Sequence, residues 1–167
     1  MGIIAYLETQ MKLSTKGRYG VRLMLDLAMH AGDEPVTLKD IAARQEISEK
    51  YLSNLVPLLK NAGFITSVRG SQGGYTLARS PREITLKDIL LVLEGSMCLV
   101  ECSEKPLLCQ RSEQCLMRDV WTEVTGKMHE ALESFTLEAL MERHMLKKTV
   151  LSYNICPGAV TDNPAGN

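Results

Sequence analysis

Apolar residues recur at helical spacing in two neighbouring stretches between residues 35 and 63. In each stretch they fall three and four positions apart, which places them on one face of a helix. They are Leu38, Ile41 and Ala42 in the first stretch and Leu52, Leu55 and Leu59 in the second. The pattern therefore predicts two short helices joined by a turn of only a few residues.

Helix start signals precede both stretches. Thr37 is a suitable N-cap with Asp40 three residues later, and Ser48 can cap the second helix. Pro57 lies inside the second helix and removes a backbone donor, so we expect a kink or a restart near Ser53.

Two β-prone runs follow, at residues 64–68 and 75–77, with a glycine-rich segment at 69–74 between them. Such a segment is typical of a hairpin tip, and it carries Arg69. Two helices, a tight turn and a basic hairpin form a winged helix-turn-helix, a module that reads DNA. Similar elements also occur in small α+β domains that bind no nucleic acid. The predicted fold is mainly α with a small β-wing.

Further helices are predicted on both sides of this module. Ser14 can cap a helix that runs to about residue 31, and Thr85 can cap one that runs to about residue 95. Lys16, Arg18 and Arg22 cluster at the start of the first of these helices, where they can meet DNA phosphates. A solvated basic face would give the same pattern.

A long helix near the C-terminal end carries apolar residues at alternating steps of three and four. They are Trp121, Val124, Met128, Ala131 and Phe135. This period of 3.5 residues is typical of a seam that packs against another helix. A two-fold mate is the simplest partner, so a homodimer is expected. The alternative is that the seam lies back on the first helix of its own chain.

The predicted organisation therefore has five parts. Residues 1–10 form an N-terminal extension, 11–95 the winged helix-turn-helix domain, 96–117 a cysteine loop, 118–144 the dimerisation helix region and 145–167 a disordered tail.

Charge is distributed unevenly along the chain. Residues 12–82 hold eleven Lys and Arg against six Asp and Glu, while the rest holds eight against fourteen. A basic front half is expected of a DNA-binding module. The sequence shows neither a signal peptide nor an apolar run of the ~20 residues that a membrane span needs, so a cytoplasmic protein is expected.

Four of the five cysteines, Cys98, Cys102, Cys109 and Cys115, fall in a stretch without helical or strand period. In a cytoplasmic protein such thiols are more typical of metal binding or redox chemistry than of disulfides. A structural zinc site usually contains a Cys-x-x-Cys pair, which this loop lacks. The residues alone leave zinc, a thiol switch and an iron–sulfur cluster open.

Four segments together resemble the IscR/NsrR/RirA/CymR family of bacterial, homodimeric winged-helix regulators, many of which carry a [2Fe–2S] or [4Fe–4S] cluster. These segments are residues 12–20, 48–63 and 67–75 and the three-cysteine loop. The resemblance implies that Cys102, Cys109 and Cys115 bind an iron–sulfur cluster.

The resemblance also implies a DNA-reading surface. Ser48, Tyr51 and Asn54 correspond to contact positions of the recognition helix, and Arg69 corresponds to the wing arginine that enters the minor groove. Lys50 faces outward on the same helix. We therefore predict that Ser48, Lys50, Tyr51, Asn54, Arg69, Lys16 and Arg18 bind double-stranded DNA at a pseudo-palindromic operator.

Two positions depart from the IscR branch of the family. Arg118 stands where that branch has a histidine ligand, and arginine does not ligate iron. Cys98, Asp119, a group from the other subunit or an exogenous molecule are the candidates for the fourth ligand. Ser53 stands where that branch can carry a glutamate that discriminates between operators.

The sequence therefore predicts a transcriptional regulator whose operator affinity is controlled by an iron–sulfur cluster. A cluster-free regulator that responds through thiols or a protein partner is the alternative, and an iron–sulfur electron carrier is a more distant one. The three histidines are accompanied by no catalytic constellation, so we do not expect an enzyme.

Overall fold

A computed structural model describes residues 13–154 of the chain, except residues 33, 71 and 72. The helices are α1 (Thr15–Met29), α2 (Leu38–Gln45), α3 (Glu49–Asn61), α4 (Leu86–Glu94), α5 (Glu101–Glu104), α6 (Leu116–Glu133) and α7 (Leu137–Asn154). The strands β1 (Ile65–Val68) and β2 (Gly74–Leu77) pair antiparallel, with Ile65 opposite Leu77. The fold class predicted from the sequence, mainly α with a small β-wing, is confirmed.

Four helices begin at the predicted caps. In each, the cap hydroxyl accepts a hydrogen bond from the amide three residues on: Ser14 from Gly17, Thr37 from Asp40, Ser48 from Tyr51 and Thr85 from Asp88. Because these bonds satisfy amides that a helix start otherwise leaves unpaired, local sequence suffices to place the four starts.

Helix α3 is uninterrupted across Pro57, so the predicted restart near Ser53 is wrong. Proline removes only the bond to the carbonyl four residues earlier, which belongs to Ser53. Ser53 is exposed, so water can hydrate that carbonyl. The helix ends at Asn61, and Gly63, just after it, has a φ of 72°, which suits a residue without a side chain.

The hydrophobic core lies where α1, α3 and α4 meet. Its fully buried members include Leu23, Leu27, Leu52, Leu59, Ile89, Leu93 and, from α7, Leu137. Helices α1 and α4 approach closely because α1 carries Gly20 at the contact. A Cβ atom there would lie 2.0 Å from the Cδ1 atom of the fully buried Leu93.

The C-terminal region consists of two helices with different roles. Helix α6 packs on α4, whereas α7 packs on α1. The turn between them is anchored to the main domain, since the Leu86 amide donates to Phe135 O over 2.8 Å and the Leu137 amide to Ile84 O over 2.9 Å. None of the described helices is long and apolar enough to span a membrane.

Two predictions for this region need correction. Helix α7 continues to Asn154, so residues 145–154 are helical although the sequence predicted disorder from residue 145. The predicted seam residues also do not form one exposed row on α6. Trp121 and Val124 are exposed, whereas Met128 is half-buried against the same chain. Phe135 lies beyond the end of α6. The predicted N-terminal extension and residues 155–167 lie outside the described residues.

One charged side chain is fully buried between α1 and α2. Asp26, 0% exposed, accepts from Arg44 Nε over 3.1 Å and from a terminal Arg44 nitrogen over 2.6 Å. It also accepts from Gln45 Nε2 over 2.8 Å. Hydrogen bonding to Asp26 raises the pKa of the Arg44 guanidinium above its ordinary value. These bonds attach the end of α2 to the middle of α1.

We predict that Arg44→Met destabilises the protein by about 2–4 kcal/mol, because it leaves a buried carboxylate without its cation. This range is lower than for a fully buried ion pair, because the Arg44 side chain is 33% exposed and solvent screens its charge. Urea unfolding of the purified variant measures the loss.

The matched control is Asp26→Leu combined with Arg44→Met, which removes both charges. We expect this double variant to regain most of the stability that the single variant loses. Equal unfolding midpoints for Arg44→Met and the wild type would show that the pair does not hold α2 to α1.

Candidate DNA-binding surface and cysteine loop

The predicted recognition helix is α3, and its N-terminal half presents a polar face to solvent. Ser48, Lys50 and Asn54 are exposed. Ser48 also caps the helix through its hydroxyl, which accepts from the Tyr51 amide over 3.2 Å. The Tyr51 ring is half-buried and meets the Tyr19 ring edge-on, with centroids 5.3 Å apart. Three predicted side chains are therefore available to DNA, and the fourth is held partly against α1.

The wing lies beside this face. Arg69 is exposed immediately after β1, and Lys60 of α3 donates to the Ser67 hydroxyl over 2.8 Å, which ties the wing base to the recognition helix. A shallow concavity of about 410 Å³ is lined by residues of both elements, including Glu49 of α3 and Arg69 of the wing. The wing thus lies next to α3, and Arg69 shares a concavity with Glu49 of that helix.

The predicted cations of α1 are placed differently. Lys16 is half-buried, and the Arg18 guanidinium donates within its own helix, to the Thr15 hydroxyl over 3.3 Å. Arg18 also lines a groove of about 810 Å³ between α1, α4 and α6, together with Leu90 and Met128. Arg18 is exposed at the edge of this groove.

Sequence reasoning missed the contacts that support the recognition helix. Arg22 of α1 donates from Nε to Gln45 Oε1 over 3.1 Å and from a terminal nitrogen to the Gln45 carbonyl. The guanidinium also lies 5.7 Å from the centroid of the Tyr19 ring. One signal was present in the sequence: Asp26 is a charged residue on the apolar stripe of α1, between Leu23 and Leu27.

The cysteine loop contains short helical turns. Cys102 lies in α5, Cys109 follows a 3-10 turn at Pro106–Leu108, and Cys115 is the N-cap residue of α6. Cys98 lies on the wall of the groove. All four side chains are half-buried, and none of the four forms a disulfide with another described residue.

The other loop residues bear on the fourth ligand. Asp119 is exposed in the first turn of α6. The Arg118 guanidinium is occupied in packing the loop, because it donates to Ser112 O over 3.1 Å.

The loop fits an iron–sulfur cluster in chemistry but not in its present arrangement. Thiolates are the usual ligands of such clusters, and Ser103 Oγ, Ser112 Oγ and Arg118 Nε are buried there without partners among the described residues. Yet nowhere in the described chain do three His, Cys, Asp or Glu side chains meet closely enough to hold one metal ion. Binding a cluster would therefore require the loop to draw its thiols together.

The outer face of α6 carries exposed apolar side chains. Met117, Val120, Trp121 and Val124 lie at helical spacing on this face and are 38–48% exposed. Nearer the C-terminal end of α6, Thr125 and Met128 pack on the same chain. We call the exposed set the outer α6 stripe. The apolar face of α6 is thus exposed in its N-terminal half and covered by its own chain further along.

Comparison with known proteins agrees with this architecture. A family model described as Rrf2, iron-dependent transcriptional regulator, matches residues 13–143. Protein rrf2 of Nitratidesulfovibrio vulgaris is 47% identical over 131 residues, which cover 78% of this chain and 87% of that protein.

Two regulators with solved structures are also similar. CymR of Bacillus subtilis is 44% identical over 78% of this chain and 89% of its own length. Its structure, described as that of the global cysteine regulator, has a TM-score of 0.67 and covers 80% of this chain and 98% of that chain. The structure of T. potens IscR has a TM-score of 0.65 at 44% identity and covers 80% of this chain and 88% of that one.

These relatives are named as regulators and not as enzymes, and regulators of this family bind DNA and act as dimers. The family match covers most of the chain, including the winged helix-turn-helix, the cysteine loop and α6. The chain belongs to the Rrf2 family of transcriptional regulators.

Proposed function

We propose that this protein is a homodimeric, cytoplasmic regulator that binds a pseudo-palindromic DNA operator and is controlled through its cysteine loop. The observation that carries the proposal is the position of the wing next to α3. Glu49 of α3 and Arg69 of the wing line one concavity. Ser48, Lys50 and Asn54 of α3 and Arg69 of the wing are exposed. A helix of this kind enters the major groove, while a wing arginine enters an adjacent minor groove that is narrow in A·T-rich DNA.

The outer α6 stripe supports the dimer. Burying one large apolar side chain contributes about 1.5–3 kcal/mol, so four such residues give a strong drive for association. A two-fold protein presents two recognition helices, which accounts for a pseudo-palindromic site.

The cysteine loop is the proposed sensor. It lies in the chain between α4, which packs on α1, and α6, which bears the outer stripe. Cys102, Cys109 and Cys115 would hold an iron–sulfur cluster, with Cys98, Asp119 or a group from outside the chain as the fourth ligand. A cluster would supply an iron centre that reacts with oxygen or nitric oxide and reports iron supply.

A second candidate is control by the thiols themselves, without a cluster. It is supported by 44% identity to CymR, whose structure is described as that of a global cysteine regulator. Arg111 and Lys105 are exposed in the same loop and add positive charge there.

Selection from a random-sequence DNA library tests the DNA-binding proposal. The wild-type protein should enrich a pseudo-palindrome whose half-sites lie about one helical turn apart, with A·T-rich flanks. Failure to enrich any motif would contradict the proposal.

On the selected DNA, we predict that Arg69→Ala weakens binding by on the order of 1–3 kcal/mol per half-site and relaxes sequence preference at the flanks. Lys147→Ala is the control, because it removes one positive charge from an exposed position in α7. Fluorescence anisotropy at physiological salt measures both affinities. Equal losses for the two variants would mean that Arg69 contributes only general charge.

We predict that Val120→Glu combined with Val124→Glu gives a folded monomer, because both side chains belong to the outer α6 stripe. Thr122→Glu adds a carboxylate at another exposed position of the same helix and should remain dimeric. Light scattering at micromolar concentration distinguishes the two states. A dimeric double variant would place the interface elsewhere.

Anaerobic reconstitution with iron and sulfide separates the two proposed sensors. If the loop holds a cluster, the wild type should turn brown and bind iron and sulfide, and a variant with Cys102, Cys109 and Cys115 changed to alanine should bind neither. Iron and sulfide analysis measures this. A colourless wild type would favour control by thiols, and a fully loaded triple variant would exclude these cysteines as ligands.

A further inference from the structure

The turn between α2 and α3 sets the direction of the recognition helix and has an unusual backbone. Glu46, the residue that ends α2, has a φ of 53°, in the left-handed region. For a residue with a side chain this conformation is costly and persists when surrounding contacts hold it. The contacts around Gln45 and Glu46 therefore determine where α3 begins.

Arg22 supplies two of these contacts from α1. Its Nε donates to Gln45 Oε1 over 3.1 Å, and a terminal nitrogen donates to the Gln45 backbone carbonyl. That carbonyl belongs to the last turn of α2, where a helix leaves acceptors unpaired and favours a cation. On its other side, Gln45 donates to the buried Asp26 over 2.8 Å. The end of α2 is thus held between two side chains of α1.

A second set of contacts leads from Arg22 to the recognition helix itself. The Arg22 guanidinium lies 5.7 Å from the Tyr19 ring centroid, within the range of a cation–π contact. The Tyr19 ring in turn meets Tyr51 of α3 edge-on, at an interplanar angle of 82°. Arg22 therefore contacts the start of the turn directly and reaches the recognition helix through one aromatic ring.

We infer that Arg22 is a positioning residue for DNA reading: it fixes α3 relative to α1 by bonding to Gln45 and stacking on Tyr19. This inference rests on the proposed DNA binding. Although Arg22 is exposed, two of its three guanidinium nitrogens donate hydrogen bonds within the protein. A side chain that binds a DNA phosphate would instead direct these donors to the DNA.

The same side chain also borders the groove that the start of the cysteine loop lines. Arg22, Cys98 and Leu99 all line the groove between α1, α4 and α6, and the Leu99 amide donates to Thr125 of α6 over 3.4 Å. Residues 98 and 99 therefore line the same groove as the side chain that holds the turn before α3.

The test compares Arg22→Met and Arg22→Lys with the wild type on the selected DNA, over a range of salt concentrations. Both variants should bind at least about tenfold more weakly, the equivalent of one charge-assisted hydrogen bond. Lysine should not restore binding, because a single ammonium cannot reproduce the two bonds of the guanidinium fork. The slope of log affinity against log salt should match the wild-type slope for Arg22→Lys.

A double-mutant cycle with Gln45→Met tests the partner. Because Arg22 acts partly through Gln45, the combined variant should lose less affinity than the product of the two single losses. Lys147→Met is the control for a lost surface charge and should bind as the wild type does. Circular dichroism and thermal unfolding show whether each variant is folded. If Arg22→Met does not fold, the comparison with the wild type uses Arg22→Lys.

Three results would overturn the inference. Wild-type affinity in Arg22→Met would remove any role for the side chain. Full rescue by lysine, together with a salt slope reduced by about one in Arg22→Met, would make Arg22 a phosphate contact. Strict multiplicativity with Gln45→Met would show that the two residues act independently. If the wild type enriches no DNA sequence, the proposed function itself fails and this inference fails with it.

Discussion

The buried carboxylate of Asp26 is the constraint on which the DNA-binding domain depends. A fully buried charge must be paired and hydrogen-bonded to be tolerated, and both Arg44 and Gln45, which satisfy it, lie in the last turn of α2. The end of α2 therefore has one favourable position against α1. Since the turn that follows is short, the same bonds also fix where α3 begins.

Helix α1 transmits this constraint to the rest of the molecule. Its N-terminal half is held against the end of α4, because the Ser14 hydroxyl donates to Glu94 Oε1 over 2.6 Å and Gly20 admits Leu93 at close range. The chain enters the cysteine loop directly after Glu94. One rigid helix thus contacts both the helix that leads into the proposed sensor and the turn that orients the proposed DNA reader.

Local sequence was sufficient for the starts of four helices and insufficient for the contacts between elements. The caps at Ser14, Thr37, Ser48 and Thr85 were predictable because each bond is made within three residues. The period of α6 did not reveal that Met128 faces α4 while Val124 faces solvent, since both positions fit a 3.5-residue seam.

The structural role of Arg22 was equally hidden, because Gln45 lies 23 residues away along the chain.

The arrangement of the cysteine loop could also not be predicted from the sequence. Its residue types and the family resemblance predict cluster ligands, but among the described residues no three His, Cys, Asp or Glu side chains are grouped to hold a metal ion. No local pattern specifies whether a loop of short turns gathers its cysteines around a ligand.

The central claim is that the state of the cysteine loop determines DNA affinity. The most direct measurement is anaerobic titration of the selected pseudo-palindrome with the same protein preparation before and after removal of iron, with a matched thiol-oxidised sample. We expect one of these changes to alter affinity by about five- to 150-fold, the usual range of coupling between two sites, and we expect no response from the triple cysteine variant. Equal affinity in all three states would contradict control of DNA binding by the cysteine loop.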